Sequence, residues 1–263
     1  MSSRAFTLHA AEAAPITETV QSFDGTTIYY DLYDNASRGA VLVVPGFWRF
    51  RRHASMKALA AQVNALGYRA AIVDPRGHGD SGGTYGFNLH EHHDVAAVAE
   101  DLLRRLPVES ITLVGLSYGG AVAVSTAARH ELPIASVLLI SPVADFQMIV
   151  PKVNLFTFHR HIALSQALHK PRFNWRMRRS EKLRPLDDIG SVHAPLCLIH
   201  VKNDWLVSHA HSLALYEAAN EPKELHVIDI EGNYHADRIF SVASAHIDPI
   251  VAEFLSRYTP KTG

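Results

Sequence analysis

The chain has 263 residues, 48% of them hydrophobic, with 25 basic and 26 acidic side chains and a formal net charge of −1. That apolar content fills one large core, and the charge balance gives no global field that would draw in nucleic acid or an anionic membrane. A single cysteine excludes an internal disulfide, and no apolar run approaches the ~20 residues of a membrane-spanning helix.

Residues 1–20 read as a loose arm without the continuous apolar stretch of a secretory signal, so a soluble cytoplasmic protein is expected. Residues 21–34 place Asp24-Gly25 between two β-prone segments and predict a hairpin at a sheet edge. Residues 40–44 are continuously apolar and end at Pro45-Gly46, the pattern of a strand buried on both faces. Helical spacing over 54–66 (Met56, Leu59, Ala60, Val63, Leu66) stops at Gly67. A strand over 68–73 leads into Asp74-Pro75-Arg76-Gly77-His78-Gly79-Asp80-Ser81, and a helix is predicted over 95–106 with Asp94 charging or capping its start. Strands follow at 111–114 and 135–140, separated by a helix over 121–130. The alternation breaks down from Asp145 to about Ser191. It resumes with a strand over 195–201 holding Cys197, a helix over 210–219, a strand over 224–230 and a helix over 240–258. Strands alternating with helices predict an α/β fold with a parallel sheet.

The stretch Gly115-Leu116-Ser117-Tyr118-Gly119 lies between the central strand, 111–114, and its helix. A serine bent that sharply is strained, and a side chain two residues to either side would clash. The bend turns the hydroxyl outward and leaves the Tyr118 amide at a helix N-terminus, where developing negative charge is stabilised. A serine hydroxyl also needs a base, and the base needs an acid to orient it. In an open parallel sheet such groups stand just past the C-terminal ends of later strands. Asp204 follows one such strand as Asn203-Asp204 and His235 follows the last as Gly232-Asn233-Tyr234-His235. Taken singly, Asp204 also suits a turn and His235 an ordinary surface histidine, one of 17.

These motifs, together with Asn203-Asp204-Trp205-Leu206-Val207 and the segment 74–81, resemble the α/β-hydrolase superfamily over about residues 21–258. The resemblance implies a mostly parallel sheet flanked by helices, formed by 21–145 and 191–263, with a helical cap inserted at 146–190 after the sixth strand. It implies Ser117 as nucleophile, His235 as base, Asp204 as acid, and an oxyanion hole from the backbone amides of Phe47 and Tyr118. Residues 74–81 resemble a structural turn of the family. Many relatives carry His-Gly where this chain has Pro45-Gly46, and some place the acid where Asp145 stands. The implied activity is hydrolysis of a small-molecule carboxylic ester through an acyl-serine, without a cofactor. A serine at the elbow disfavours the aspartate-nucleophile dehalogenases and epoxide hydrolases. Ligand binding without catalysis, and carbon–carbon cleavage or acyl transfer on the same triad, stay open.

Two further readings concern charge. Residues 146–190 carry nine Lys or Arg against three acids, and Arg49, Arg51 and Arg52 follow the oxyanion loop. A cationic rim made of these would suit an acyl thioester on a phosphate-bearing carrier, although a solvated cap surface explains the cap charge equally simply. The block His90-Glu91-His92-His93-Asp94 holds metal-ligating side chains, but the spacing is not His-Glu-x-x-His and no second tight cluster follows, so no metal is expected.

Overall fold

The computed structural model describes residues 14–36, 38–149, 171–172 and 183–260. Eight strands form one sheet: β1 (Ile16–Gln21), β2 (Thr27–Tyr33), β3 (Arg38–Val44), β4 (Tyr68–Asp74), β5 (Ile111–Leu116), β6 (Ile134–Ile140), β7 (Leu196–Val201) and β8 (Lys223–Ile228). Their order is β1-β2-β4-β3-β5-β6-β7-β8, with β1 and β2 antiparallel to their neighbours and the rest parallel. The helices are α1 (Ala54–Ala65), α2 (Glu91–Arg105), α3 (Tyr118–Arg129), α4 (Pro185–Asp188), α5 (Ala210–Ala218), α6 (Ile239–Val242) and α7 (Ser244–Tyr258).

The central strands are apolar throughout because both of their faces are covered. Leu42, Leu113, Leu139 and Leu198 pack with Val98 and Leu102 of α2, Val122 of α3 and Leu215 of α5. Their neighbours Val41, Val114, Leu138 and Ile199 pack on the other side with Met56 and Val63 of α1 and with Ile247, Phe254 and Leu255 of α7. Alternate residues thus serve two cores, which is why period-two patterning is absent from these strands. The chain steps from β3 to β4 on one side and then returns to β5 on the other. That reversal opens a crevice above the carboxyl ends of β3 and β5, where an open α/β sheet binds ligands.

Four expectations are corrected. The edge hairpin begins at Ile16, not after residue 20, since an edge strand with one partner needs no continuous apolar run to mark it. Helix α2 begins at Glu91, so the His-rich block is the first turn of the helix rather than a lead-in. Asp94 sits in the first turn of α2 and adds its charge there, but it does not cap the helix: it is fully buried and its carboxylate pairs with Arg76 (Nη2 to Oδ1, 2.7 Å). The single C-terminal helix is broken at Ala243, and its two arms, 236–242 and 244–258, meet at 110°. Beyond Phe146 to Ile149, the expected cap falls largely outside the described residues. Its C-terminal end, 185–191, forms α4 and a 3₁₀ turn. Among the described residues no single helix is long and apolar enough to cross a membrane.

Candidate active site

Ser117 stands between β5 and α3 with φ 53° and ψ −118°, a left-handed backbone that a non-glycine residue adopts only under constraint. The constraint is packing. A Cβ on Gly115 would lie 2.6 Å from the Gly119 carbonyl oxygen, and one on Gly119 would press on the carbonyls of Val44 and Pro45. The start of α3 therefore sits directly on the end of β3. Backbone bonds fix the bend from both sides: Ser117 N donates to Ile140 O (2.8 Å), and Gly120 N donates to Ser117 O (3.0 Å).

The Ser117 hydroxyl lies 2.7 Å from Nε2 of His235, and Nδ1 of His235 lies 2.7 Å from Oδ2 of Asp204. A carboxylate only accepts, so Nδ1 carries the proton and Nε2 presents its lone pair to the hydroxyl. The other Asp204 oxygen accepts from the amides of Leu206 and Val207, both at 2.9 Å. Burial alone would raise the Asp204 carboxyl; the charge and hydrogen bond of His235 and the loop amide outweigh it and hold the carboxyl below its ordinary value. Asp145, the other acid considered, is directed elsewhere. It accepts from the Gln147 amide (2.8 Å) and from Arg184 Nε (2.9 Å).

One neighbour escaped sequence reasoning. His200, inside β7 and fully buried, is 2.9 Å from the Val207 carbonyl and 2.7 Å from the Ser212 hydroxyl. A carbonyl only accepts, so Nε2 holds the proton, and this edge also faces Asp204 at 3.6 Å. Burial holds its imidazole down at about 4, hence neutral. Its signal was a polar residue in an apolar strand four positions before the acid.

The β3–α1 loop borders the serine. A Cβ on Gly46 would lie 3.2 Å from Ser117 Cβ, and Phe47 is the next residue. The loop closes as a turn, Arg49 N to Gly46 O at 2.9 Å, with Trp48 at φ 62° as the third residue of a type II turn requires. Tyr118 is the first residue of α3, so its amide has no acceptor within the helix. Aromatic rings cluster around Tyr118: Tyr85 packs on Phe47, Phe87 and Tyr118 at 4.9, 4.5 and 4.8 Å, and Phe146 approaches Phe87 and Tyr118 at about 6 Å. Phe87 and Asn88 both have positive φ. Their loop is held by Glu91, which accepts from the amides of Gly86 and His90, and by Asn88, which donates to the Ser125 hydroxyl (2.7 Å).

The arginine rim is corrected. Arg51 is buried and paired with Asp31 (2.8 Å), Asp74 and Asp80 (2.7 Å); it is a structural strut between β2 and the 74–81 turn. Arg52 also pairs with Asp80, and Arg49 pairs with Asp237 (3.0 Å), tying the β3 loop to the loop of His235. Each positive charge is matched by a carboxylate, so these three side chains give no net cationic field at the crevice.

A model of the alpha/beta hydrolase family matches residues 41–259. The chain belongs to the alpha/beta hydrolase family. Solved structures of similar fold include an esterase of Pyrococcus furiosus, 22% identical over 93% of this chain and 90% of that one, with a TM-score of 0.72. They also include an alpha/beta hydrolase of a Penicillium species (19% identity, 94% and 99% coverage, TM-score 0.76) and an esterase of Exiguobacterium antarcticum (17%, 92% and 100%, 0.62). A search of curated proteins by sequence returned no match. For an alpha/beta hydrolase, the serine, imidazole and carboxylate stand at the ends of β5, β8 and β7, where the fold presents ligand-facing loops.

Proposed function

We propose that this alpha/beta hydrolase is a serine esterase that cleaves a small carboxylic ester through an acyl-serine intermediate. The observation that carries the reading is the unbroken chain Ser117 Oγ, His235, Asp204, with both contacts at 2.7 Å. In this reading His235 removes the Ser117 proton as the oxygen attacks the ester carbonyl. Asp204, held anionic, fixes the imidazole tautomer and balances the imidazolium that forms. The amides of Phe47 and Tyr118 receive the oxyanion, and each such donor is worth on the order of 3 kcal/mol in the transition state. His235 then protonates the leaving alcohol and activates the water that frees the acid. The aromatic cluster of Phe47, Tyr85, Phe87 and Tyr118, which includes both proposed oxyanion-hole residues, favours an apolar acyl group. The two esterases among the structural neighbours are consistent with ester substrates. The thioesterase alternative loses the support it drew from Arg49, Arg51 and Arg52. In the proposed domain arrangement, residues 146–190 cap the crevice.

The test is Ser117→Ala assayed on a panel of esters, thioesters and lactones of graded chain length, beside labelling of the native chain by an organophosphorus serine probe. Turnover is expected to fall by about 10⁴-fold or more while the melting curve stays unchanged. Labelling is expected at Ser117 alone. A folded chain that does not label, or a variant as fast as the parent, would overturn the reading in favour of a binding protein.

A further inference from the structure

We propose that His92, His93 and His130 form a binding site for a divalent transition-metal ion of the zinc class, separate from the Ser117 site. His92 and His93 are the second and third residues of α2, and His130 immediately follows the last residue of α3. Ligand-capable atoms of the three lie within 4.8 Å of one another. Their ring centroids are 4.0 Å (His92–His93), 5.1 Å (His92–His130) and 5.0 Å (His93–His130) apart. Nδ1 of His92 and Nε2 of His130 are already 2.9 Å apart. Around a tetrahedral zinc with bonds of about 2.0–2.1 Å, ligand nitrogens stand roughly 3.3 Å apart. That pair therefore needs to open by only a few tenths of an ångström.

The chemistry of the set agrees. Three imidazoles suit zinc, nickel or copper rather than magnesium or calcium. An ion entering between His92 and His130 displaces the one proton that their 2.9 Å contact shares, and each ring then offers a nitrogen lone pair. His92 is buried, while His93 and His130 are only half-buried, leaving access for the ion and for a water as fourth ligand. The two guanidiniums nearby are compensated. Arg129 pairs with Asp188 (2.7 Å), and Arg76 pairs with Asp94 (2.7 Å) and Asp24 (2.8 Å). An arriving cation meets no unbalanced positive charge. The third ligand, 38 positions after His92, comes from another helix, which is why a block-by-block reading of the sequence does not find it. Thirteen residues of helical rise separate His130 from Ser117, about 20 Å, so the ion would clasp the start of α2 to the end of α3 rather than touch the ester.

The experiment is a zinc titration of the metal-stripped, untagged full chain against a competing chromophoric chelator, with X-ray absorption on the loaded protein. One tightly held zinc per chain is expected, with a nitrogen-rich shell at about 2.0 Å and a raised melting temperature. The double substitution His93→Ala/His130→Ala should weaken binding beyond the ~10–100-fold that loss of a merely supporting partner costs. Should that double variant fail to fold, His93→Gln alone carries the test, since its ring is half-exposed. Failure of the parent chain to retain zinc, or equal retention by a folded variant, would overturn the site.

Discussion

At the scale of single residues, contact separates the two candidate acids where motif does not. Asp204 and Asp145 both follow a parallel strand in sequence, and only Asp204 reaches the imidazole; Asp145 is consumed by Arg184. Asp204→Asn is expected to lower turnover by about 10³–10⁴-fold, because an amide at that position stabilises the wrong imidazole tautomer. Asp145→Asn should leave turnover nearly unchanged, since its buried carboxylate pairs with Arg184 and not with the imidazole. Steady-state kinetics of the two variants, side by side, check the assignment; comparable losses would contradict it. The meeting of Ser117, Asp204 and His235 was legible because each follows a strand end that the fold dictates. His200 was not, because a buried neutral imidazole looks in sequence like any other histidine. The roles of the three arginines were misread for a related reason: charge counts along a chain do not reveal that Asp31, Asp74, Asp80 and Asp237 return from distant segments to neutralise them.

At the scale of elements, the elbow and the strut behind it depend on close approach. Gly119→Ala would drive a methyl group against the Pro45 carbonyl at 2.5 Å and against that of Val44. Backbone cannot yield as a side-chain tip does, so a loss of about 1–3 kcal/mol or more is expected, read as a lowered urea midpoint. Arg51→Leu removes the cation that bridges Asp31 and Asp74, both almost fully buried. Leaving those carboxylates unpaired should cost about 3–5 kcal/mol, while the double change of Arg51 and Asp31 to apolar residues recovers part of it. Element positions were largely readable from apolar runs and helical spacing. Boundaries failed where an element is rich in polar residues, as in β1 (Ile16–Gln21) and at Glu91, and where a helix bends without a proline or glycine at the break, as at Ala243.

At the scale of the whole molecule, buried imidazoles set the response to acid. Burial holds His78 and His200 at about 4 and His92 at about 3, whereas unfolded they protonate near 6.5. Between those values the unfolded chain binds more protons, so stability falls as the pH drops through that window. Asp74, raised to about 6 by burial against the pull of Arg51, works in the opposite direction but is outnumbered. A free energy of unfolding from urea titration that is lower at about pH 5 than at about pH 7.5, by on the order of a few kcal/mol, is the expected result without added metal. A flat profile would mean that these rings are solvated in the native state. The global architecture was legible because βα alternation leaves few topologies once a parallel sheet is granted.

The sheet's order has one more consequence, for the timing of activity. The imidazole lies 118 positions after the hydroxyl and follows β8, the outermost strand on its side. Contacts of such long sequence separation close late, after the loops between them have been ordered. Under the proposed serine-esterase reading, turnover would therefore be a clock for the last step of assembly. During refolding it should return after the helical signal has recovered, and a nascent chain that has docked the elbow but not its final strand would be compact, native-looking over its first half, and silent.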